Sequence, residues 1–238
     1  MSHFPFQRLQ TDLATLITGL PANSRLPSEP DLAKQLGVSR ATLREAMRMF
    51  EAQGLIRRRQ GAGTFVVGKV PVLEGGLEVL ESMLTLARRT KMDVGPGEVF
   101  IDQVPADQEC AEALDLPEGT GLVRVSRTMR AGSRPVAYLV DTLPGDVIRP
   151  EELTSKFSGS VLDFLLQRGD PLTVSRADIT ATVASAEVAK MLEIQRGDVL
   201  LHFTAKLFTA SGSVVDFSHS YFLPGYFKFH VVRRVGGA

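Results

Sequence analysis

The chain has 238 residues, of which 44% are hydrophobic, and its 27 basic side chains balance its 27 acidic ones. This length allows one large domain or two small ones, with enough apolar residues for a buried core. Its single cysteine, Cys110, excludes an internal disulfide and a cysteine-based metal site within one chain. Since there is neither an apolar run long enough to cross a membrane nor a signal-peptide pattern, we expect a soluble, cytoplasmic protein.

The balanced net charge hides an uneven distribution along the chain. Residues 1–70 carry ten basic and five acidic side chains, whereas residues 71–238 carry 17 and 22. A basic block joined to an acidic block predicts two domains with different partners, and the basic block is the candidate for contacting nucleic-acid phosphates. Chance clustering of solvated charges is the alternative.

The first 50 residues predict three helices. Apolar residues between Phe6 and Leu20 recur at helical spacing. Ser28 and Ser39 each suit the N-cap of a further helix, and Gly37 suits the left-handed residue that ends the first of these two. Two helices joined by so tight a turn predict a helix-turn-helix.

The second helix of this pair, predicted from Arg40 to Gln53, carries arginines on its polar face. Arg40, Arg44 and Arg48 are four residues apart, opposite the apolar positions. Arginine can bind guanine with two hydrogen bonds in the major groove, and hydroxyls such as those of Ser39 and Thr42 can donate to phosphate. We therefore expect this to be the DNA-recognition helix.

Residues 55–67 predict a two-stranded wing. Because side chains alternate along a strand, Arg57 and Arg59 should share one side and Arg58 the other. Gly61 and Gly63 would let the tip of the wing approach DNA closely. Each feature alone is more often an ordinary solvated surface, but their succession after a helix-turn-helix predicts DNA binding.

The second half of the chain contains an internal repeat of a short helix and a β-hairpin. Gly119 and Gly197 lie 78 residues apart, and the pairs Pro144-Gly145 and Pro224-Gly225 lie 80 apart. Further strands are predicted near residues 99–104, 172–183 and 227–233. Together they predict an antiparallel sheet flanked by helices, which makes the domain α+β. In the connector between the halves, leucines from Leu77 to Leu86 predict a helix.

Several segments of the first domain resemble the DNA-binding domain of the GntR family. They are Leu26-Pro27-Ser28-Glu29, Leu36-Gly37-Val38-Ser39-Arg40, Thr42-Leu43-Arg44-Glu45-Ala46 and the run from Arg59 to Val66. The resemblance implies a homodimer on a palindromic double-stranded operator, with Arg40 and Arg44 at base edges and Gly61 in the minor groove. Pro30 departs from the family pattern, because many members carry a DNA-contacting arginine there, and Ala41 replaces a common threonine. The expected DNA-binding residues are Ser28, Ser39, Arg40, Thr42, Arg44, Arg57, Arg59, Gln60, Gly61 and Gly63.

The second domain resembles, more loosely, the UTRA effector-binding domain of the HutC subfamily, which has a chorismate lyase-like fold. The resemblance rests on the turn from Leu116 to Thr120, the helix start at Ser160-Val161, and residues 218–229. It implies an effector site containing Arg127, Ser160 and Asp216. We add Arg176, because an arginine on a central strand needs a partner. Plain helix capping by Ser160, and a salt bridge from Arg127 to Asp141 or Asp216, are the structural alternatives.

These observations predict a winged helix-turn-helix domain (1–68), a linker (69–98) and an effector-binding and dimerisation domain (99–238). The expected function is that of a transcription regulator, a repressor by preference, without cofactor or metal. Met129 and Leu139 stand where sugar-phosphate sensors often carry an arginine and a glutamate, which favours a carboxylate or a neutral, partly apolar effector. Catalysis is disfavoured because the four histidines are scattered and no nucleophile–base pair is evident. A DNA-binding architectural protein without a ligand remains the other alternative.

Overall fold

The computed structural model describes residues 5–21, 23–52, 54–59, 61–67 and 72–233. The chain divides into two compact units. One comprises Met1–Val72 with Pro224–Tyr226, and the other comprises Leu73–Leu223 with Phe227–Ala238.

The first unit is a three-helix domain with a two-stranded wing. The Ser28 hydroxyl accepts a hydrogen bond from the Asp31 amide (3.4 Å), and the Ser39 hydroxyl accepts one from the Thr42 amide (3.1 Å), so both predicted caps are present. Gly37 has a φ of +66°, as the turn between the helices requires. Apolar side chains from all three helices and both wing strands form one buried core. The elements are α1 (Pro5–Thr18), α2 (Glu29–Gln35), α3 (Arg40–Ala52), β1 (Ile56–Arg59) and β2 (Gly63–Val66).

The segment between the two domains is only partly helical, which contradicts part of the helix predicted there. Leu73–Gly76 forms strand β3, which pairs in parallel with strand β10 (Phe227–His230), and only Met83–Arg89 is helical (α4). Leu77 lies before the helix and is exposed. The prediction was wrong for residues 77–82. The Leu77 amide donates to His230 O at 2.9 Å, next to the β3–β10 pair, and the helix begins only after its N-cap, Ser82. Local periodicity cannot indicate a partner about 150 residues away.

The second unit is built on a six-stranded antiparallel sheet in the order β4-β5-β6-β9-β8-β7. This confirms the α+β prediction. The strands are β4 (Val94–Pro105), β5 (Gly121–Ala131), β6 (Arg134–Pro144), β7 (Leu172–Val183), β8 (Val199–Thr209) and β9 (Val214–Phe222). The helices are α5 (Gln108–Leu114), α6 (Pro150–Lys156), α7 (Val161–Arg168) and α8 (Ala186–Leu192).

The internal repeat is larger than the helix and hairpin predicted from sequence. Each copy also contains a preceding long strand, so that β4-α5-β5-β6 corresponds to β7-α8-β8-β9, and the first three elements of each copy are offset by 78 residues. The copies join at the β6–β9 pair, where Asp141 lies opposite Ser218. Helix α5 packs on β9 and α8 on β6, so that each copy covers a strand of the other. The repeat places β4 and β7 at opposite edges of the sheet.

The two faces of the sheet have different surroundings. On one face, α6 and α7 bury the strand residues Val123, Val125 and Leu143. On the other face, α5 packs against Leu122 and Phe217. The first face, where β3 and α4 also lie, carries the cavity described below.

Candidate DNA interface and effector cavity

Helix α3 buries one face and exposes the arginines predicted to read DNA. Leu43, Ala46 and Met47 are buried, whereas Arg40 and Arg44 are exposed. Arg40 forms no ion pair among the described residues. At the start of the helix, the hydroxyls of Ser39 and Thr42 lie 2.8 Å apart and share a hydrogen bond.

Arg44 is held by a carboxylate of the preceding helix. Its Nε donates to Glu29 Oε2 at 2.6 Å. A guanidinium nitrogen of Arg58 lies 3.9 Å from the other oxygen of Glu29, and Arg58 Nε lies 3.6 Å from Glu51. This network fixes the direction of Arg44, although base contact would require Arg44 to share or leave the Glu29 carboxylate.

The wing presents its arginines in the predicted alternation. Arg57 and Arg59 are exposed, while Arg58 is half-buried and its amide donates to Glu51 Oε1 at 3.0 Å. The guanidinium carbon of Arg59 lies 5.2 Å from the centre of the Phe65 ring, which is within range of a cation–π interaction. Gln60 lies outside the described residues.

The glycines of the wing have the conformations that glycine tolerates best. Gly61 and Gly63 have φ angles of +74° and +109°. A Cβ atom at Gly61 would meet open space, whereas one at Gly63 would lie 2.8 Å from Arg25 Nε. The positive φ therefore constrains both glycines, and a side chain at Gly63 would also have to displace the exposed Arg25 side chain.

Arg25 is a candidate DNA contact that the sequence reading missed. The segment around it pairs with β2, because the Leu26 amide donates to Thr64 O and the Val66 amide donates to Ser24 O, both at 2.8 Å. This pairing brings the exposed Arg25 side chain beside Gly63 in the wing. Residues 23–27 read as a loop in sequence, and only the pairing to a distant strand assigns Arg25 to this surface.

A cavity of about 800 Å³ lies over the sheet of the second unit. Strands β5 to β9 form its floor, and residues 75–86 and α7 contribute its walls. Three of the four predicted effector residues, Arg127, Ser160 and Asp216, line it. Much of the remaining lining is apolar and includes Met129, Leu139, Ile179, Phe203, Leu207, Phe222 and Phe229.

The charged centre of the cavity is a cluster of three side chains on neighbouring strands. Arg127 and Asp141 form a buried ion pair, so the salt-bridge alternative for Arg127 holds. Burial, together with the neighbouring Asp141 carboxylate, raises the pKa of Asp216 well above its ordinary value. Within the described part of the chain, Asp216 Oδ1 and Arg127 Nε have no hydrogen-bond partner. The cluster therefore contains one acceptor atom and one donor atom that are both buried and unpaired.

Ser160 acts as a helix cap in this structure. Its hydroxyl accepts from the Asp163 amide at 3.0 Å, at the start of α7. The Asp163 side chain in turn accepts from the hydroxyl of Ser82, the N-cap of α4, at 2.7 Å, and lies 3.7 Å from Arg88. An internal carboxylate thus already occupies the position where these groups would otherwise attract an anion.

Arg176 is not part of the cavity, which corrects the expectation. Its strand, β7, is an edge strand and not a central one, and the Arg176 side chain is 77% exposed beside Asp178, 3.8 Å away. The residues of β7 that face the cavity include Ser175, Ala177 and Ile179. The repeat indicated a sheet but not its strand order, so the position of β7 could not be read from sequence.

These two sites define a two-domain regulator, with a winged helix-turn-helix in one unit and a ligand cavity in the other. Residues 6–66 match the bacterial regulatory proteins of the gntR family, and residues 99–228 match the UTRA domain. The chain belongs to the GntR family, in the branch that carries a UTRA domain. It is a DNA-binding transcription regulator controlled by a small molecule. The members of this family are regulators and not enzymes.

Relatives of the whole chain support this assignment. The transcriptional repressor NagR of Bacillus subtilis is 27% identical over 213 residues, which cover 88% of this chain and 86% of NagR. The transcriptional regulator Rv0792c of Mycobacterium tuberculosis is 31% identical, with 84% and 75% covered. The histidine utilization repressor of Pseudomonas putida is 29% identical, with 76% and 72% covered.

Solved structures agree on the fold. PhnF from Mycobacterium smegmatis superimposes with a TM-score of 0.65 at 20% identity, covering 96% of this chain and all of PhnF.

The described residues contain no group of three or more histidine, cysteine or acidic side chains that could hold a metal ion. No helix within those residues is long and apolar enough to span a membrane.

Proposed function

We propose that the protein is a repressor that binds a palindromic double-stranded operator as a homodimer and responds to a small molecule bound in the cavity. The observation that carries the proposal is the combination, in one chain, of a wing and recognition helix with exposed arginines and a large cavity with unpaired polar atoms. The names of the relatives NagR and histidine utilization repressor support repression.

The proposed DNA-binding set comprises Ser28, Ser39, Arg40, Thr42, Arg44, Arg57, Arg59, Gln60, Gly61 and Gly63, with Arg25 added. The proposed effector set comprises Arg127, Ser160 and Asp216.

We divide the chain into residues 1–68, 69–98 and 99–238, as the sequence suggested. The linker has a second role in this proposal, because residues 75–86 form one wall of the cavity. A ligand would then touch the segment that leads to the DNA-binding domain, which gives a direct route for the signal.

The charge of the cavity favours a neutral, partly apolar effector over an anion. Among the described residues that line it, Arg127 is the only basic one, and it is already paired. Glu78, Glu81, Asp141 and Asp216 are the acidic ones. A phosphate or carboxylate would therefore gain little attraction, whereas a ligand hydroxyl or amide could donate to Asp216 Oδ1.

The DNA part of the proposal is tested by selecting a binding site from a random DNA pool with the wild-type protein. Arg40→Ala and Arg44→Ala should each weaken binding to that site by about 1–3 kcal/mol, the usual cost of a lost bidentate base contact. Arg48→Ala is the matched control, because Arg48 lies on the same face of the helix but about two turns beyond Arg40, outside the first turns that enter the major groove. Normal affinity in both test variants would contradict the assignment of the recognition helix.

The effector part is tested by a thermal-shift screen of metabolites, followed by operator affinity with and without each hit. Ala205→Phe, which adds bulk inside the cavity, should abolish the response and leave operator affinity in the absence of ligand unchanged. Ala210→Phe, in the exposed turn after β8, is the control that keeps the response. If no metabolite changes either melting temperature or operator affinity, the architectural alternative is favoured.

A further inference from the structure

Asp163 carries a carboxylate on which three donor groups converge. Its Oδ2 accepts a hydrogen bond from the Ser82 hydroxyl at 2.7 Å, and the Thr85 hydroxyl lies 3.4 Å from both carboxylate oxygens. A guanidinium nitrogen of Arg88 lies 3.7 Å from the same Oδ2. Two hydroxyls and a guanidinium form a donor set that suits a carboxylate. The Asp163 side chain fills this position itself and is only 12% exposed.

This position adjoins the effector cavity. Ser82 and Ser160 line the cavity and are the N-caps of α4 and α7. Asp163 engages both hydroxyls, since Ser82 donates to its carboxylate and Ser160 accepts from its amide at 3.0 Å. An anion that entered this side of the cavity would therefore compete with a carboxylate of the chain itself for the same donors.

The floor of the cavity repeats this arrangement with different surroundings. Arg127, the only basic residue among the described residues that line the cavity, pairs with Asp141. Loss of Asp141 would leave Arg127 charged and buried, which is costly. The Arg88 side chain is 69% exposed, so water stabilises its charge with or without Asp163. Of the two internal carboxylates, Asp163 is therefore the one that the fold can lose at the lower cost.

We propose that Asp163 determines the ligand preference of the cavity: its carboxylate occupies an anion position, which keeps small carboxylates out and favours an uncharged effector. The inference rests on the proposed function, because it takes the cavity as the effector site, and it names one residue that selects the ligand. The contact also joins α4 to α7. A purely structural role for Asp163 is therefore the alternative that an experiment must separate.

Chemical rescue with formate separates the two roles in the full-length protein. Asp163→Ala removes the carboxylate and leaves space beside its donors, whereas Asp163→Asn removes the charge but fills the space. The melting temperature of Asp163→Ala should rise with sodium formate and reach a plateau, relative to sodium chloride at equal ionic strength. The dissociation constant for formate should be at least about ten-fold lower for Asp163→Ala than for wild type or Asp163→Asn.

Two further variants test the donor set. Asp163→Ala/Arg88→Ala should lose the response to formate, because Arg88 supplies the positive charge and its exposed side chain can be truncated without opening the core. Asp170→Ala is the matched control. It removes a carboxylate that accepts from Arg168 Nε at 2.9 Å, just beyond the other end of α7, and should show no saturable response to formate.

The possible outcomes separate the inference from the proposed function. Equal responses of Asp163→Ala and Asp163→Asn, or no response of Asp163→Ala, would overturn the role of Asp163 and leave the proposed function standing. If Asp163→Ala folds only in formate, the inference is supported, and if it fails to fold in formate as well, the inference is overturned. Saturable binding of formate by the wild type would overturn both the inference and the proposed preference for a neutral effector.

Discussion

At the scale of single residues, the buried cluster of Arg127, Asp141 and Asp216 accounts for most of the chemistry of the cavity. A buried ion pair adds little net stability, because desolvation offsets the attraction, but removing one partner leaves a buried charge unpaired. Here the loss of Arg127 would leave two carboxyl groups side by side. Arg127 therefore contributes both to the fold and to the proposed site.

Replacing Arg127 by alanine should lower the free energy of unfolding by about 3–5 kcal/mol. The double change Arg127→Met/Asp141→Leu should cost much less, since it removes both charges. Urea unfolding of the two variants and the wild type measures the difference. Equal losses in the single and double variants would show that packing, and not the unpaired Asp141, causes the effect.

The raised pKa of Asp216 should make stability fall as the pH rises. Between the ordinary aspartate pKa, about 3.9 in the unfolded chain, and the higher folded value, the folded state binds more protons than the unfolded one. Stability is therefore greatest below that interval and is lost across it. Asp216→Asn should flatten this dependence and gain stability relative to wild type at neutral pH. Unfolding curves measured from pH 4 to 8 provide the test, and parallel curves would contradict it.

At the scale of elements, the wing separates arginines that are free for DNA from one that supports the fold. Arg57 and Arg59 are exposed, whereas the Arg58 backbone and side chain both engage Glu51. Neighbouring residues of one strand thus have different surroundings, so Arg58 can serve as a control for experiments on Arg57 and Arg59.

Arg57→Ala and Arg59→Ala should each weaken binding to all DNA sequences alike. Each should also make the slope of log affinity against log salt concentration shallower by about 0.9, the contribution of one phosphate contact. Arg58→Ala should leave that slope unchanged and instead lower the melting temperature, because the ion pairs of the Arg58 side chain with Glu29 and Glu51 are lost. Fluorescence anisotropy over a salt series distinguishes the cases. A loss of affinity confined to DNA altered at one base position would contradict the assignment of Arg57 and Arg59 to the DNA phosphates.

At the scale of the whole molecule, the second unit contains the complete six-stranded sheet and the cavity. Residues 71–238 alone should consequently fold and form a dimer. Sedimentation at micromolar concentration measures this. A folded fragment that stays monomeric would place dimerisation elsewhere.

The proposed coupling between the two sites must be reciprocal. If an effector found by the screen changes operator affinity by a given factor, the operator must change effector affinity by the same factor, typically about 5–150-fold. Calorimetric titration of the effector, with and without operator DNA, tests this equality. Unequal factors would mean that the effector acts through a second equilibrium.

The sequence by itself determined the features that depend on near neighbours. The caps at Ser28 and Ser39, the turn at Gly37 and the alternation of Arg57, Arg58 and Arg59 follow from hydrogen bonds and periodicities that span a few residues. The repeat indicated the hairpins of the second domain, and the resemblance to the family pointed to Arg127, Ser160 and Asp216.

Only the tertiary structure decided the features that join distant segments. The β3–β10 pair, the Arg127–Asp141 ion pair, the assignment of Arg25 to the wing and the edge position of Arg176 all depend on strand order. Periodicity fixes which face of a strand is buried, but it carries no information about which strand lies beside it. That choice is made by the packing of the whole domain, in which hydrogen bonds between strands far apart in sequence are satisfied together.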